Sequence, residues 1–198
     1  ALATRGPTKG LGAPMPRHKM FFQLGDPSQI GVRKYFFTYR QNRIGLLTAD
    51  VAQCPEVNTM LIKYNVWCEQ KGYPPANYII ITLYKNGHDH IGEHSDNTKD
   101  FDQNSLLTVV KLGPGARRFV IRRGKKGQTL MEDTLTPGSA VTMTVPGNNS
   151  TTHEVPPDQS TQTSGSIVFR TIDTLEPIDK VVKAVQNSDK TINTVVEF

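Results

Sequence analysis

The chain has 198 residues, with 23 Lys+Arg against 18 Asp+Glu and a formal net charge of +5; its pI is near 9.2. That length suits one compact domain, and 36% hydrophobic with 21% charged residues supports a packed core and excludes wholesale disorder. No apolar run approaches the roughly 20 residues of a membrane-spanning helix, no signal-peptide pattern opens the sequence, and Cys54 and Cys68 are too few for a disulfide framework or a zinc finger.

Residues 1–16 are broken by Gly and Pro in quick succession and read as an N-terminal arm. Residues 17–172 are expected to form one domain. Within it, Met20-Phe21-Phe22 and Tyr35-Phe36-Phe37-Thr38-Tyr39 are aromatic pieces suited to strands or loop edges. A helix follows Pro55, which fits a first helical turn. Val57, Met60, Leu61, Tyr64, Trp67 and Cys68 recur at helical spacing and are expected in the core, and Gly72 with Pro74-Pro75 ends the segment.

From Tyr78 the pattern changes to short β-branched or alternating runs: Tyr78–Tyr84, Leu106–Leu112, Arg118–Arg122, Ala140–Val145 and Ser166–Ile172. Turn clusters at Gly113-Pro114-Gly115, Gly124, Pro137-Gly138 and Pro146-Gly147-Asn148-Asn149 separate them, which predicts a sandwich or barrel. Residues 173–198 read as a helical extension opened by Pro177, with Ile178, Val181, Val182 and Val185 on one face. The fold class is therefore mainly β with flanking helices, an α+β chain.

Charge is concentrated. Residues 1–50 carry eight Lys/Arg against Asp26 and Asp50, and Arg117, Arg118, Arg122, Arg123, Lys125 and Lys126 crowd ten positions. Such clusters suit a polyanion such as nucleic acid, and equally suit a solvated surface. The arginine pairs flank Phe119-Val120-Ile121, so some must face solvent, either to meet phosphates or to protect a strand edge. Phe36, Phe37 and Tyr39 could stack an extruded base, or could be core.

Five histidines exist: His18, His88, His90, His94 and His153. A His-X-Asp pair, His94 and Asp96, puts imidazole and carboxylate on one side of a strand end because alternate residues share a face. His153, returning on a later strand, would complete a facial set of two histidines and one carboxylate, which leaves positions open on iron(II). His88 and His90 are expected in the loop.

The string Tyr78-Ile-Ile-Ile-Thr-Leu-Tyr84-Lys-Asn-Gly87-His-Asp89-His90-Ile91-Gly92-Glu93-His94-Ser-Asp96 resembles the metal-binding core of AlkB-like dioxygenases, most closely their eukaryotic DNA-repair branch. The similarity continues in order through Pro16-Arg17-His18-Lys19, Arg117–Arg123, His153-Glu-Val-Pro156 and Phe169-Arg170-Thr-Ile172. The resemblance implies a double-stranded β-helix, or jelly-roll, barrel. It also implies iron(II) on His94, Asp96 and His153, and 2-oxoglutarate bound by Arg170 and Tyr84. Dioxygen would be co-substrate, with succinate and carbon dioxide as products. Hydroxylation of an N-alkyl carbon would release formaldehyde and leave a nucleic-acid base dealkylated. Arg17, Tyr39, Thr98 and Arg118 are the candidate substrate contacts.

Three positions depart from that pattern. Thr82 stands where the family usually has Asn beside the co-substrate. Ser164 occupies the place of the first of two arginines spaced six apart, and no Lys or Arg lies between His153 and Arg170 to replace it. One missing charge-assisted bond costs on the order of 1.5–3 kcal/mol. Asn97 and Thr98 replace an acidic residue that helps read the base. These departures keep two other readings open: a 2-oxoglutarate-dependent hydroxylase of a small molecule or protein side chain, and a binding module without turnover. The expected setting is intracellular, nucleus or cytoplasm, with no membrane contact; the sequence does not fix the oligomeric state.

Overall fold

Tyr78-Ile79-Ile80-Ile81 is apolar on both faces, the pattern of a central strand with packing above and below. The computed structural model, which describes residues 4–5, 17–24, 35–37 and 48–177, places it accordingly. The strands are β1 (Thr4–Arg5), β2 (His18–Gln23), β3 (Tyr35–Phe37), β4 (Thr48–Asp50), β5 (Tyr78–Tyr84), β6 (Ile91–His94), β7 (Leu106–Leu112), β8 (Arg117–Arg122), β9 (Thr129–Leu135), β10 (Ala140–Thr144), β11 (Thr152–Val155), β12 (Ser164–Arg170) and β13 (Leu175–Pro177). Among the described residues two α-helices join them, α1 (Pro55–Lys71) and α2 (Val145–Ser150), with a short 3-10 turn at Val51–Gln53 before α1.

The large sheet runs β1-β2-β5-β12-β7-β10, with β4 parallel to β2; the small sheet runs β6-β11-β8-β9. From β5 to β12 the chain crosses repeatedly between the two sheets, and all pairs among these eight strands are antiparallel. This is the jelly-roll arrangement, and it answers the β-rich expectation.

The large sheet separates two cores. On its outer face Ile79, Ile167 and Phe169 pack under α1 against Val57 and Leu61. Tyr64 stacks on Phe169 at 4.3 Å and hydrogen-bonds Thr108 at 2.8 Å. Pro55 occupies the first turn of α1, and Gly72 closes it at φ 74°, a left-handed conformation that Gly adopts without strain. Its buried residues are Val57, Leu61 and Cys68. Trp67, expected in the core, is instead 37% exposed: it sits one position off the buried stripe and stacks on Tyr64 at 5.7 Å.

Between the sheets, Tyr78, Ile80 and Leu107 pack with Phe101, Val145 and Ile172 at one end. Tyr84, Phe119, Leu135, Val141 and Val155 pack at the other.

Several boundaries moved. Val145 and Pro146–Asn149, expected as strand end and turn, form α2, whose Thr144 cap accepts the Gly147 N–H at 3.1 Å. The last long strand ends at Arg170 because the chain then turns to pair Phe101 with Ile172. Leu175–Pro177 pairs with Tyr35–Phe37. The helical face Ile178–Val185 and Tyr39 lie outside the described residues, as do the side chains of Phe36 and Phe37.

Candidate metal centre and its cavity

His94 ends β6, and His153 faces it directly across the β6–β11 ladder. The register shifts between His153 and Val155, a β-bulge of the kind that re-aims side chains beside sites. The two rings lie 4.4 Å apart between centroids. Asp96 follows two residues after His94, with its Oδ1 3.7 Å from His94 Nε2. One ligand atom from each of His94, Asp96 and His153 lies within 4.8 Å of the others, the spacing of a single ion's donor face.

Their protonation suits a cation. His94 Nδ1 lies 2.8 Å from the Gly92 carbonyl, so it carries the proton and leaves Nε2 as donor. Burial holds the His94 pKa below its ordinary value. His153 is pushed down to about 4, by burial first and then by the neighbouring His94; its Nδ1 is buried with no hydrogen-bond partner. Burial works against ionising Asp96, yet Arg170, His153, His94 and Lys19 together hold its carboxyl below the usual range. The result is two neutral imidazoles and one carboxylate, a donor set that fits a divalent first-row metal.

The loop carrying Asp96 is pinned from α2. Asn148, fully buried, accepts the Asp96 N–H and donates to the Asp96 carbonyl, both at 3.0 Å. Ser95 donates to the Thr151 carbonyl at 2.5 Å, and Thr98 to the Asn149 side chain at 2.8 Å. Sequence reading took Asn148 for a turn residue; its one available signal was its place five residues before His153. Thr98, a candidate base reader, is 9% exposed and spends its hydroxyl on this clasp.

A cavity between the sheets opens from the donor face. Its lining includes Thr82 and Tyr84 from β5, Lys111 from β7, Ser166 and Arg170 from β12, and Lys19. Arg170 Nη2 lies 2.5 Å from Asp96 Oδ2, so this candidate co-substrate residue also steadies a metal ligand. Tyr84 is buried, with Ser166 as its hydrogen-bonding neighbour; burial raises its pKa, opposed by Arg17 and Arg117. Ser164 is 1% exposed, with no hydrogen-bond partner for its hydroxyl, and does not line the cavity.

The arginine block divides. Arg118 faces outward and pairs with Glu132 at 3.4 Å, and Arg122 pairs with Glu154. Arg117 points inward at 2% exposure, which removes it from phosphate contact. Its guanidinium donates to the carbonyls of Asn86, Asp89 and Pro156 at 3.3, 2.8 and 3.0 Å, and pairs with Asp158 at 3.0 Å. Gly87 is required here, since a Cβ would overlap the Asp158 carboxylate and carbonyl. Arg17 reaches the same loop, donating to the His90 carbonyl at 3.0 Å. His88 and His90 stay in the loop, as expected, outside the donor set.

The mouse (Mus musculus) DNA oxidative demethylase ALKBH2 is 33% identical over 96 residues, which cover 45% of this chain and 39% of that protein. The Bos taurus protein of the same name is 36% identical over 87 residues, covering 40% and 31%. The chain resembles ALKBH2 over less than half of its own length. The Homo sapiens protein is 34% identical over 87 residues, covering 40% of this chain and 33% of its own length, so the match spans under two-fifths of each of these relatives. No family model matches the chain. Among solved structures, OsALKBH1 is 16% identical with a TM-score of 0.48, covering 85% of this chain and 83% of that one. A 2OG-Fe(II) oxygenase family oxidoreductase from Burkholderia pseudomallei is 16% identical with a TM-score of 0.41, covering 61% and 60%.

Proposed function

We propose that the chain is an iron(II)- and 2-oxoglutarate-dependent oxygenase that dealkylates nucleic-acid bases, with dioxygen as co-substrate. The observation that carries this reading is the convergence of His94, Asp96 and His153 at the end of a cavity lined by Tyr84, Lys111 and Arg170. The partial likeness to proteins named DNA oxidative demethylase supports it.

Iron(II), once bound with 2-oxoglutarate, supplies the oxidising chemistry that hydroxylates a substrate C–H bond. The chain's own residues do the rest. His94, Asp96 and His153 offer the metal three donors on one side and leave the other side for ligands. Arg170 holds the Asp96 carboxylate in orientation and offers a cationic fork to a ligand carboxylate. Tyr84, kept a neutral phenol by burial, can donate a hydrogen bond to the same ligand. The apolar walls built by Ile80, Leu107, Val168 and Phe119 exclude water from the reacting carbon.

The test is turnover of 2-oxoglutarate under air with added iron(II), against N-methylated single- and double-stranded DNA and RNA oligonucleotides, with His94→Ala as blank. Succinate and formaldehyde rising together on one oligonucleotide is the expected result. One observation favours a second reading, a hydroxylase of a protein or small molecule: Thr98 is spent on Asn149 and Arg118 on Glu132, which leaves two candidate base contacts committed elsewhere. Succinate formation indifferent to every oligonucleotide would select it.

A further inference from the structure

The arginine absent at Ser164 has no replacement nearby in sequence, but strand register brings a cation beside Ser166, one step along the same face of β12. Ser166 on β12 pairs with Thr82 on β5 and with Lys111 on β7, so these three residues form one row across the large sheet. All three line the cavity. Ser164 lies two residues from Ser166, on the same face of β12 and about 7 Å along it. Arg170 lies four residues the other way, beside Asp96 at the metal end.

Lys111 is 4% exposed, and its ammonium makes one hydrogen bond, to the Leu112 carbonyl. The two buried cavity arginines are each matched to an acid: Arg170 to Asp96 and Arg117 to Asp158. Among the described residues no carboxylate stands against Lys111. Burial, and then the charge of Arg117, lowers its pKa. A buried ammonium with spare donors and no counter-charge is costly, and that cost falls when a ligand brings the anion.

We propose that Lys111, flanked by the Ser166 and Thr82 hydroxyls, receives the carboxylate of 2-oxoglutarate farther from the metal, in place of the arginine missing at Ser164. The cavity then carries a cation at each end, Arg170 beside the metal ligands and Lys111 at the far row. This assignment rests on the co-substrate reading above.

Anaerobic titration calorimetry on the manganese(II)-loaded protein tests it, using 2-oxoglutarate and 2-oxobutyrate, which lacks the second carboxylate. The unmodified protein is expected to bind 2-oxoglutarate at least about tenfold more tightly than 2-oxobutyrate, the scale of one charge-assisted hydrogen bond. Lys111→Met, which keeps the apolar stem, is expected to erase that preference and leave 2-oxobutyrate affinity unchanged; Lys111→Arg is expected to keep much of it. Undiminished preference in Lys111→Met would overturn the assignment while leaving the co-substrate reading standing. Equal affinities in the unmodified protein would overturn it without recourse to any variant. Manganese binding with no 2-oxoglutarate binding would overturn the co-substrate reading itself, and the assignment with it.

Discussion

Replacing Arg117 by Met should cost the protein a large part of its stability. The guanidinium is 2% exposed and joins two separate stretches of chain, the loop at Asn86 and Asp89 and the one at Pro156, where Asp158 is its ion-pair partner. It also lies 4.9 Å from the Tyr84 ring centroid. Methionine fills much of the stem but leaves the Asp89 and Pro156 carbonyls without their donor and the Asn86 carbonyl with the Asp89 N–H alone. Asp158 is about one-third exposed and recovers water, so its loss is the smaller part. Removing one member of a buried pair costs about 3–5 kcal/mol, and single hydrogen-bond values cannot simply be summed over one side chain. The expected loss is therefore about 3–4 kcal/mol, against a total of about 5–15 kcal/mol for a typical domain. At about 2–4 °C per kcal/mol for a chain of this size, the melting temperature should fall by roughly 10 °C. Arg118→Met is the control: its pair with Glu132 is half-exposed on both sides and worth under about 1 kcal/mol. Urea and thermal unfolding of both variants, side by side, would decide the matter. Similar small losses in the two would refute the claim that Arg117 holds these loops together.

His94→Ala should abolish stoichiometric manganese(II) binding, followed by electron paramagnetic resonance of the free ion, while far-ultraviolet circular dichroism stays unchanged. Asn148→Ala should weaken metal affinity by about 10–100-fold, because Asn148 holds the main chain at Asp96 from both sides; unchanged affinity in a folded variant would refute that role. The metal-free protein should lose stability as pH falls from about 6.5 toward 4. His153 is held neutral to about 4 when folded and takes a proton near 6.5 when unfolded, so the unfolded chain binds more protons in that window. The contribution is fully present above 6.5 and is at most about 3 kcal/mol; a flat series of urea midpoints across the window would contradict it.

The large sheet was legible in the sequence because its strands are packed on both faces. Tyr78–Tyr84 and Leu106–Leu112 announce themselves as β-branched runs and keep those limits. The small sheet was legible only at Arg118–Arg122. Ile91–His94 and Thr152–Val155 are four residues each, and Thr129–Leu135 is largely exposed, so none offers a hydrophobic period. Val145–Ser150 reads as a turn because Pro, Gly and two Asn outweigh helix propensity; its cap and its bonds to the Asp96 loop support the helix instead. The donor set was visible as His-X-Asp and a later His. Lys111 was not, because strand register, and not sequence distance, sets it beside Ser166. Likewise the pattern said that some arginines of the block must face solvent, but only packing showed that Arg118 does and Arg117 does not.

Among the described residues β6 is the edge strand of the small sheet and pairs only with β11. A metal on His94 and His153 would rivet that edge to its neighbour through a ring of chain nearly sixty residues long. Unlike a disulfide, such a cross-link is released on unfolding, so it stabilises the folded chain by its binding free energy. Losing the ion should then loosen β6 first, ahead of the rest of the barrel. Amide exchange at Ile91–His94 would act as a local gauge of metal occupancy beside the global shift in the melting curve.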